Sequence, residues 1–149
     1  MASMTILDAN LLVYVYNSDA PQHRAATQWL KRLFDSSEAV ALPWVTVWAF
    51  LRICTNARLW ANPKPAAEAF AVLRNWLAQP AVFTLEPGPR HVEILEGLVR
   101  DYGATGPLMT DATLAALAIE NGASLASTDQ DFRRFPGLRW INPLDNSPK

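Results

Sequence analysis

The chain has 149 residues, a length that accommodates one domain with a substantial core. Half of the residues are hydrophobic and 18% are charged, a composition that excludes an intrinsically disordered chain. The formal net charge is −1, so binding to nucleic acid or to an anionic membrane would require a local basic patch.

Cysteine and histidine are too sparse for a disulfide framework or a zinc site. Cys54 has no second cysteine to pair with, and His23 and His91 are widely separated. The N-terminus lacks the basic segment of a secretory signal, and Asp8 interrupts its short apolar stretch. The longest apolar run, residues 39–51, is too short to span a bilayer. We therefore expect a cytoplasmic protein.

Short apolar strands alternate with amphipathic helices along the chain, and apolar positions recurring every three or four residues mark the helices. The predicted strands are 5–7, 39–42, 81–85, 123–127 and 138–141. The predicted helices are 10–16, a segment after Pro21 that ends near 34, 43 to about 55, 66–77, 92–102 and 111–121, with a helical turn at 131–135. This alternation predicts an α/β fold in which helices cover both faces of a mainly parallel sheet of about five strands.

Aspartates follow two of the predicted strands. Asp8 comes after the first strand, and Asp129 and Asp131 come after the fourth. Asp111 opens a helix that follows the loop 103–107. Ligands of parallel sheets lie beyond the carboxyl ends of the strands, so these carboxylates converge if the first and fourth strands are neighbours. Converging carboxylates repel one another unless a cation intervenes, and an oxygen-only site suits Mg²⁺ or Mn²⁺.

Each acid also has a purely structural explanation. Asp8 and Asp131 could cap the helical segments that follow them. Asp111 could complement the positive end of its helix, with Thr110 as the cap, and Asp129 could form a turn with its own backbone. Caps alone do not require several acids to meet at one edge of the sheet, so convergence would favour the metal site.

Four segments resemble a known family. They are TILDANLLVY (5–14), LPWVTVWAFLRICTNARLW (42–60), GPLMTDATLAALAIENGA (106–123) and STDQDFRRFPGLRWINPL (127–144). Together they resemble the PIN domain, specifically the VapC toxins of bacterial type II toxin–antitoxin systems. The likeness covers nearly the whole chain in the right order, so we expect residues 1–149 to form a single PIN domain, a three-layer α/β/α sandwich.

The resemblance implies a Mg²⁺-dependent endoribonuclease toxin, with Mn²⁺ as a possible substitute. Such toxins hydrolyse phosphodiester bonds of tRNA or ribosomal RNA by metal-activated water. The resemblance further implies a VapB-type antitoxin that neutralises the toxin, and assembly into a homodimer or a higher toxin–antitoxin complex.

Mapped by motif position, the resemblance assigns the metal to Asp8, Asp111 and Asp129. Asp131 joins these three as a fourth catalytic acid, and Asn10 and Thr128 are expected to brace the site. The family often has a glutamate where this chain has Ala49. Two outcomes follow: a single ion held by the remaining acids, or weaker metal affinity that improves when an RNA phosphate adds its oxygens.

The missing glutamate supports an alternative function, a catalytically weak or inactive PIN-fold module that binds RNA or antitoxin. A third candidate, a phosphatase or phospho-acceptor with Asp8 as nucleophile, is disfavoured. Phosphatases of that kind carry an aspartate where this chain has Asn10, and phospho-acceptor domains need a late lysine, which is missing between Lys64 and Lys149.

The helix predicted from residue 43 offers candidate RNA contacts. Trp44, Trp48 and Arg52 are spaced by four and share one face. If Ala49 faces the metal cleft, then Arg52 and Asn56 lie along its rim and Arg58 follows them, which makes these three residues candidates for binding RNA. Alternatively, the tryptophans pack in the core or in a dimer interface, and Arg52 pairs with a surface acid.

Arg133 and Arg134 raise the same question in the last motif. Both follow the acids Asp129 and Asp131 in the sequence, after Phe132. They are candidates for phosphate contacts, or they belong to a solvated helical turn.

Overall fold

The computed structural model describes residues 3–145. The strands are β1 (Met4–Leu7), β2 (Ala39–Pro43), β3 (Val82–Leu85), β4 (Ser124–Ala126) and β5 (Arg139–Ile141). The helices are α1 (Ala9–Tyr16), α2 (His23–Phe34), α3 (Trp44–Cys54), α4 (Ala66–Leu77), α5 (His91–Tyr102) and α6 (Met109–Asn121). Short 3₁₀ helices span Ala57–Leu59, Gly106–Leu108 and Gln130–Arg134.

The strands form one sheet in the order β3-β2-β1-β4-β5, and every neighbouring pair is parallel. The chain fills one half of the sheet from β1 to β3 and then crosses to β4 and β5 on the other side. The direction of winding therefore reverses between β1 and β4. In open parallel sheets, ligands bind outside the carboxyl ends of the strands at such a switch point.

The core lies on both faces of this sheet because side chains alternate along each strand. Ile6 and Leu7 are both fully buried, but Ile6 belongs to the cluster beneath α5 and α6, whereas Leu7 belongs to the cluster beneath α1, α3 and α4. Ala41 and Leu42 divide in the same way. The predicted α/β/α sandwich is confirmed.

Two local predictions needed correction. The sixth helix begins at Met109 rather than at Asp111, because the Gly106–Leu108 turn leads directly into it, and Thr110 is therefore not its cap. The Ala57–Leu59 turn was not predicted; there Asn56 Oδ1 accepts a hydrogen bond from the backbone N–H of Arg58 over 3.2 Å. Within residues 3–145, no helix combines the length and apolar character needed to cross a membrane.

Candidate metal centre

Asp8 lies at the switch point between β1 and β4. Its backbone N–H donates to the carbonyl of Ala126 at the end of β4, over 3.0 Å. One carboxylate oxygen, Oδ1, accepts from the backbone N–H of Ala9 over 2.7 Å, so Asp8 does cap α1. The other oxygen, Oδ2, accepts from the hydroxyl of Ser127 over 2.6 Å. Asp8 can therefore cap α1 with one carboxylate oxygen and contact the polar site with the other.

Ser127 connects three of the polar groups at this edge of the sheet. It is fully buried, and besides donating to Asp8 it accepts from Asn10 Nδ2 over 3.2 Å and from the backbone N–H of Asp129 over 3.0 Å. One hydroxyl thus fixes the end of β1 relative to the start of the segment that carries Asp129. The family resemblance implied this bracing role for Thr128, together with Asn10.

The structure does not give Thr128 a comparable position. Thr128 is half-buried, and its hydroxyl makes no hydrogen bond within residues 3–145. The signal that could have identified Ser127 is its place directly after the apolar run 123–126, where a strand ends against its neighbour. Asn10, the other predicted bracing residue, does contact the site, through its bond to Ser127.

Asp129 and Asp131 are carried by the 3₁₀ helix Gln130–Arg134. Asp129 caps this helix, and its Oδ1 accepts from the backbone N–H of Asp131 over 2.9 Å. Phe132 follows Asp131 directly in the sequence. Its side chain is 1% exposed and packs in the cluster beneath α5 and α6. The turn is therefore anchored by its buried aromatic ring while Asp131 stays exposed.

Three of the predicted acids come together closely. Asp111 lies in the first turn of α6, and Asp111, Asp129 and Asp131 each present a carboxylate oxygen within 4.8 Å of the others. Oxygens around one Mg²⁺ lie roughly 3–4 Å apart, since each metal–oxygen distance is about 2.1 Å. Small side-chain rotations would therefore suffice to place these oxygens around one ion. Asp8 is outside this tight group but is joined to Asp129 through Ser127.

The pKa of Asp111 shows how strongly these acids interact. Burial is the largest cause that raises it, from 3.8 to about 6, followed by the negative charges of Asp129, Asp8 and Asp131. Arg134 acts in the opposite direction. Burial also raises the pKa of Asp8, against its hydrogen bonds from Ser127 and Ala9. Burial and the neighbouring carboxylates thus both disfavour the ionised form of Asp111, and a bound cation would favour it.

The donor atoms match a hard divalent cation. The clustered ligand atoms are all carboxylate oxygens, the donors that Mg²⁺ and Mn²⁺ prefer. Asn10 Oδ1 is buried and has no hydrogen-bond partner, although Nδ2 of the same amide donates to Ser127. A buried carbonyl oxygen without a donor is costly, and a cation or an ordered water would satisfy it. The residues present thus fit a divalent metal ion.

A groove lies between α3 and the start of α6. Val45, Trp48, Ala49 and Arg52 of α3 line it together with Thr110, which precedes Asp111, and its volume is about 340 Å³. Ala49 therefore lines a groove that also borders the start of α6, and it contributes no carboxylate there. Arg52, predicted to bind RNA, is exposed along this groove.

The other two candidate RNA contacts lie beyond the C-terminus of α3. Asn56 uses Oδ1 to cap the Ala57–Leu59 turn, and Arg58 is exposed within that turn. Neither lines the groove beside Thr110. Their role in binding RNA stays a prediction.

A second, larger groove of about 790 Å³ adjoins the first. Trp44 and Trp48 line it, with their ring centroids 6.3 Å apart, and Val45 and Trp48 border both grooves. Trp48 is 64% exposed and Trp44 is 37% exposed, so neither is a core residue. Of the two packing alternatives for these tryptophans, burial in the core is wrong.

Comparison with known proteins identifies the family. The PIN domain model matches residues 5–138. Ribonuclease VapC33 of Mycobacterium tuberculosis (strain H37Rv) is 43% identical over 141 residues, covering 95% of this chain and 99% of the relative. Ribonuclease VapC37 of the same strain is 38% identical over 140 residues, covering 94% of this chain and 97% of the relative.

Solved structures agree on the fold. VapBC2 from Rickettsia felis, bound to a DNA fragment from its promoter, superposes with a TM-score of 0.73 at 17% identity, covering 93% of this chain and 98% of that one. VapC20 of Mycobacterium tuberculosis, a toxin that cleaves the sarcin-ricin loop, superposes with a TM-score of 0.64 at 19% identity. The match covers 91% of this chain and 97% of that one. That residues 1–149 form one domain stays a prediction, since the family model matches 5–138. The chain belongs to the PIN-domain family.

Proposed function

We propose that this protein is a Mg²⁺-dependent endoribonuclease, able to use Mn²⁺, and the toxin of a toxin–antitoxin module. One observation carries the proposal. Asp111, Asp129 and Asp131 converge within 4.8 Å at the switch point of the sheet, in a chain 43% identical to a ribonuclease VapC. Binding sites of parallel sheets lie at this position, and three uncompensated carboxylates there need a cation.

Asp111, Asp129 and Asp131, with Asp8 behind them, would hold the metal ion. A divalent cation lowers the pKa of coordinated water and offsets negative charge that develops on the phosphate. Asp131 is exposed, and its carboxylate accepts no hydrogen bond within residues 3–145, so the carboxylate oxygen that does not face the ion would be available to accept a proton. Asp129 is less free, because Oδ1 already accepts from the backbone of Asp131.

Histidine does not supply the acid or base in this proposal. The Nδ1 atom of His23 contacts the carbonyl of Tyr14, and His91 is buried at the start of α5. Neither belongs to the acidic cluster. Proton transfer during RNA hydrolysis therefore falls to the carboxylates, as expected for metal-dependent rather than metal-independent ribonuclease chemistry.

Arg52 is the best placed of the candidate RNA contacts. It lines the groove that ends at Thr110, beside the first acid of α6. A guanidinium there can bind an RNA phosphate through two parallel hydrogen bonds or stack on an unpaired base. Asn56 and Arg58 would extend this contact beyond the end of α3. The substrate class is tRNA or ribosomal RNA.

The partner is a VapB-type antitoxin. VapBC complexes are among the solved structures with this fold, and the relatives carry VapC names. We also propose assembly as a homodimer or a higher toxin–antitoxin complex in the cytoplasm. The exposed Trp44 and Trp48 beside the larger groove support burial against a protein, since aromatic residues are enriched in interfaces.

A PIN-fold module that binds RNA or antitoxin without cutting is the second candidate. Ala49 favours it, because a methyl group lies in the groove where many relatives in the family supply a carboxylate. One fewer acid weakens the case for two ions about 4 Å apart, which need more bridging charge. A single ion is the form of the site that we propose.

Single-turnover cleavage of RNA by metal-stripped protein separates the two candidates. With the protein in excess over a labelled pool of tRNA and ribosomal RNA, we expect discrete fragments that require added Mg²⁺ and vanish with EDTA. Asp129→Asn should abolish cleavage, and Gln130→Ala, one residue along and exposed, should not. RNA binding without any Mg²⁺- or Mn²⁺-dependent fragments would establish the binding module instead.

A further inference from the structure

A stripe of four side chains runs along the two grooves beside α3, and we call it the α3 stripe. Glu86 and Trp44 line the larger groove, Trp48 borders both grooves, and Arg52 lines the smaller one. The order along the stripe is therefore Glu86, Trp44, Trp48 and Arg52. The three α3 residues are spaced by four, so their side chains share one face of the helix.

The middle of the α3 stripe is apolar and exposed. Trp48 is 64% exposed and Trp44 is 37% exposed, and their ring centroids lie 6.3 Å apart. Leu85, Pro87 and Leu117 add further apolar side chains to the larger groove. Apolar surface in water is unfavourable in proportion to its area, so burial of this patch against another apolar surface would stabilise a complex.

The two ends of the α3 stripe carry opposite charges that the folded chain does not pair. Glu86 and Arg52 are both exposed, and neither forms an ion pair within residues 3–145. The acid lies at the Trp44 end of the stripe, and the base lies beyond Trp48. A complementary partner therefore needs an apolar centre flanked by the same two charges in the reverse order.

The loop that carries Glu86 is held in place by α6. One carboxylate oxygen of Glu120 accepts from the backbone N–H of Gly88 over 2.8 Å, and the other accepts from that of Arg90 over 2.9 Å. A Cβ atom at Gly88 would lie 2.5 Å from Glu120 Oε2, so a larger residue would displace the carboxylate from the loop. This wall of the larger groove is thus formed before any partner binds, which lowers the entropy cost of association.

We propose that the α3 stripe is a two-fold interface with a second copy of this chain. A two-fold rotation about the middle of the stripe reverses its order. Trp44 then lies opposite Trp48 of the second copy, and Arg52 lies opposite Glu86 of the second copy. The stripe is complementary to itself in this arrangement, with aromatic pairs at the centre and an ion pair on each side. The inference rests on the homodimer of the proposed function and adds the surface that forms it.

The charges favour a protein over RNA as the occupant of the larger groove. Glu86 lies at that end and would repel a phosphate backbone. Arg52, at the other end, can serve both the dimer and the RNA. A guanidinium presents donors on more than one edge, so one edge can pair with Glu86 of the second copy while another faces the groove beside Thr110.

Sedimentation equilibrium of the chain purified without antitoxin measures the dissociation constant of the dimer. We expect Trp48→Ala to raise it about 30-fold or more, the effect of truncating an aromatic residue at the centre of an interface. Leu59→Ala is the matched control, because Leu59 is apolar, 63% exposed and outside both grooves. It should leave the dissociation constant unchanged. Equal dissociation constants for Trp48→Ala and the wild type would overturn the proposal.

Two charge-reversal variants test the pairing of Arg52 with Glu86 across the interface. Arg52→Glu and Glu86→Arg each place like charges opposite one another on both sides of the two-fold axis, so we expect each variant to dimerise about 10-fold more weakly. An equimolar mixture of the two variants restores opposite charges at both pairs, and mixed dimers should form with nearly wild-type affinity. Mixing cannot repair a folding defect, because each chain keeps its own substitution. A mixture that dimerises no more tightly than either variant alone would overturn the proposal.

The remaining outcomes separate this inference from the proposed function. If Trp48→Ala dimerises like the wild type but no longer binds a VapB-type antitoxin, the α3 stripe is an antitoxin site and the inference is wrong. If the wild-type chain stays monomeric yet cleaves RNA, the homodimer and this inference fail while the ribonuclease proposal stands. If the wild type and its variants dimerise as expected but the wild type cleaves no RNA with Mg²⁺, the ribonuclease proposal fails and the interface stands.

Discussion

The hydroxyl of Ser127 donates to Asp8 Oδ2 over 2.6 Å, across the junction of β1 and β4. The two residues are far apart in the sequence, and parallel pairing of their strands brings them together. Because the same hydroxyl accepts from the backbone of Asp129, it sets the spacing between the first and third acids. The geometry of the metal centre thus depends on one buried serine as well as on the carboxylates.

Ser127→Ala tests that dependence. Removing the hydroxyl leaves Asp8 Oδ2, Asn10 Nδ2 and the backbone N–H of Asp129 without the bonds they make to it. We therefore expect a loss of about 1–3 kcal/mol in the free energy of unfolding. Residues that orient metal ligands typically affect affinity or activity 10- to 100-fold, and we expect RNA cleavage to fall by about that factor. Urea unfolding and single-turnover kinetics measure the two effects.

Thr128→Ala is the matched control, because it removes a neighbouring hydroxyl that makes no hydrogen bond within residues 3–145. We expect its stability and cleavage rate to stay near those of the wild type. A larger loss of activity in Thr128→Ala than in Ser127→Ala would support the predicted bracing role of Thr128 and contradict that of Ser127.

Asp8→Asn should abolish cleavage without unfolding the protein. Asparagine retains a side-chain oxygen that can accept from the backbone of Ala9, so the cap of α1 survives. The change also removes one negative charge that raises the pKa of Asp111. We therefore expect far-ultraviolet circular dichroism and binding of a VapB-type antitoxin to be unchanged while RNA cleavage is lost. Full activity in Asp8→Asn would remove Asp8 from the mechanism.

The stability of metal-free protein should decrease as the pH rises from 4 to 7. The pKa of Asp111 is about 6 in the folded protein, above its ordinary value of 3.8, so the folded state binds this proton more tightly than the unfolded chain does. That contribution is full below pH 4 and is lost as the pH passes 6. Asp111 is half-buried and partly screened by solvent, so we expect an effect of about 1 kcal/mol.

Urea unfolding in EDTA at pH 5 and pH 7 measures this effect, with Asp111→Asn as the control. The difference between the two pH values should be smaller in the variant, which has no carboxyl at this position. Adding Mg²⁺ at pH 7 should raise the free energy of unfolding of the wild-type protein, because the ion binds the folded state. An identical pH response in wild type and variant would contradict the raised pKa.

Phe132→Ala should separate the acids by loosening the turn that carries them. Phe132 is 1% exposed and packs beneath α5 and α6, so its truncation should cost about 3–5 kcal/mol in the free energy of unfolding. Phe132→Leu refills most of the space and should cost less. If Phe132→Leu folds but binds Mn²⁺ more weakly than the wild type, the ring also positions Asp129 and Asp131. Calorimetric unfolding and Mn²⁺ titration measure both.

The fold could be predicted from the sequence because the signals for individual strands and helices are local. Apolar periodicity and Pro43 located the elements, and the strand 123–127 placed Asp129 and Asp131 at an edge of the sheet. The order of the strands is a long-range property, so the meeting of Asp8 with Asp129 could be stated only on the condition that β1 and β4 are neighbours. The structure meets that condition.

The predictions that were wrong concern the residues at which strands and helices begin or end. Ser127 was assigned to the strand, but β4 ends at Ala126, and the chain then turns the serine hydroxyl inward. Thr110 looked like a cap only because the helix was predicted to begin after it. Both cases depend on where an element begins or ends to within one or two residues, and hydrophobic periodicity does not specify a boundary that finely.

The central claim is that Asp111, Asp129 and Asp131 bind one divalent cation. Anomalous diffraction at the manganese absorption edge, from crystals of the wild-type protein soaked in Mn²⁺, tests it most directly. We predict a single anomalous peak about 2.1–2.2 Å from oxygens of these three carboxylates, with Asp8 facing the same ion. A Mn²⁺-soaked crystal with no peak among these carboxylates, or with Asp111 and Asp129 turned away from each other, would contradict the account.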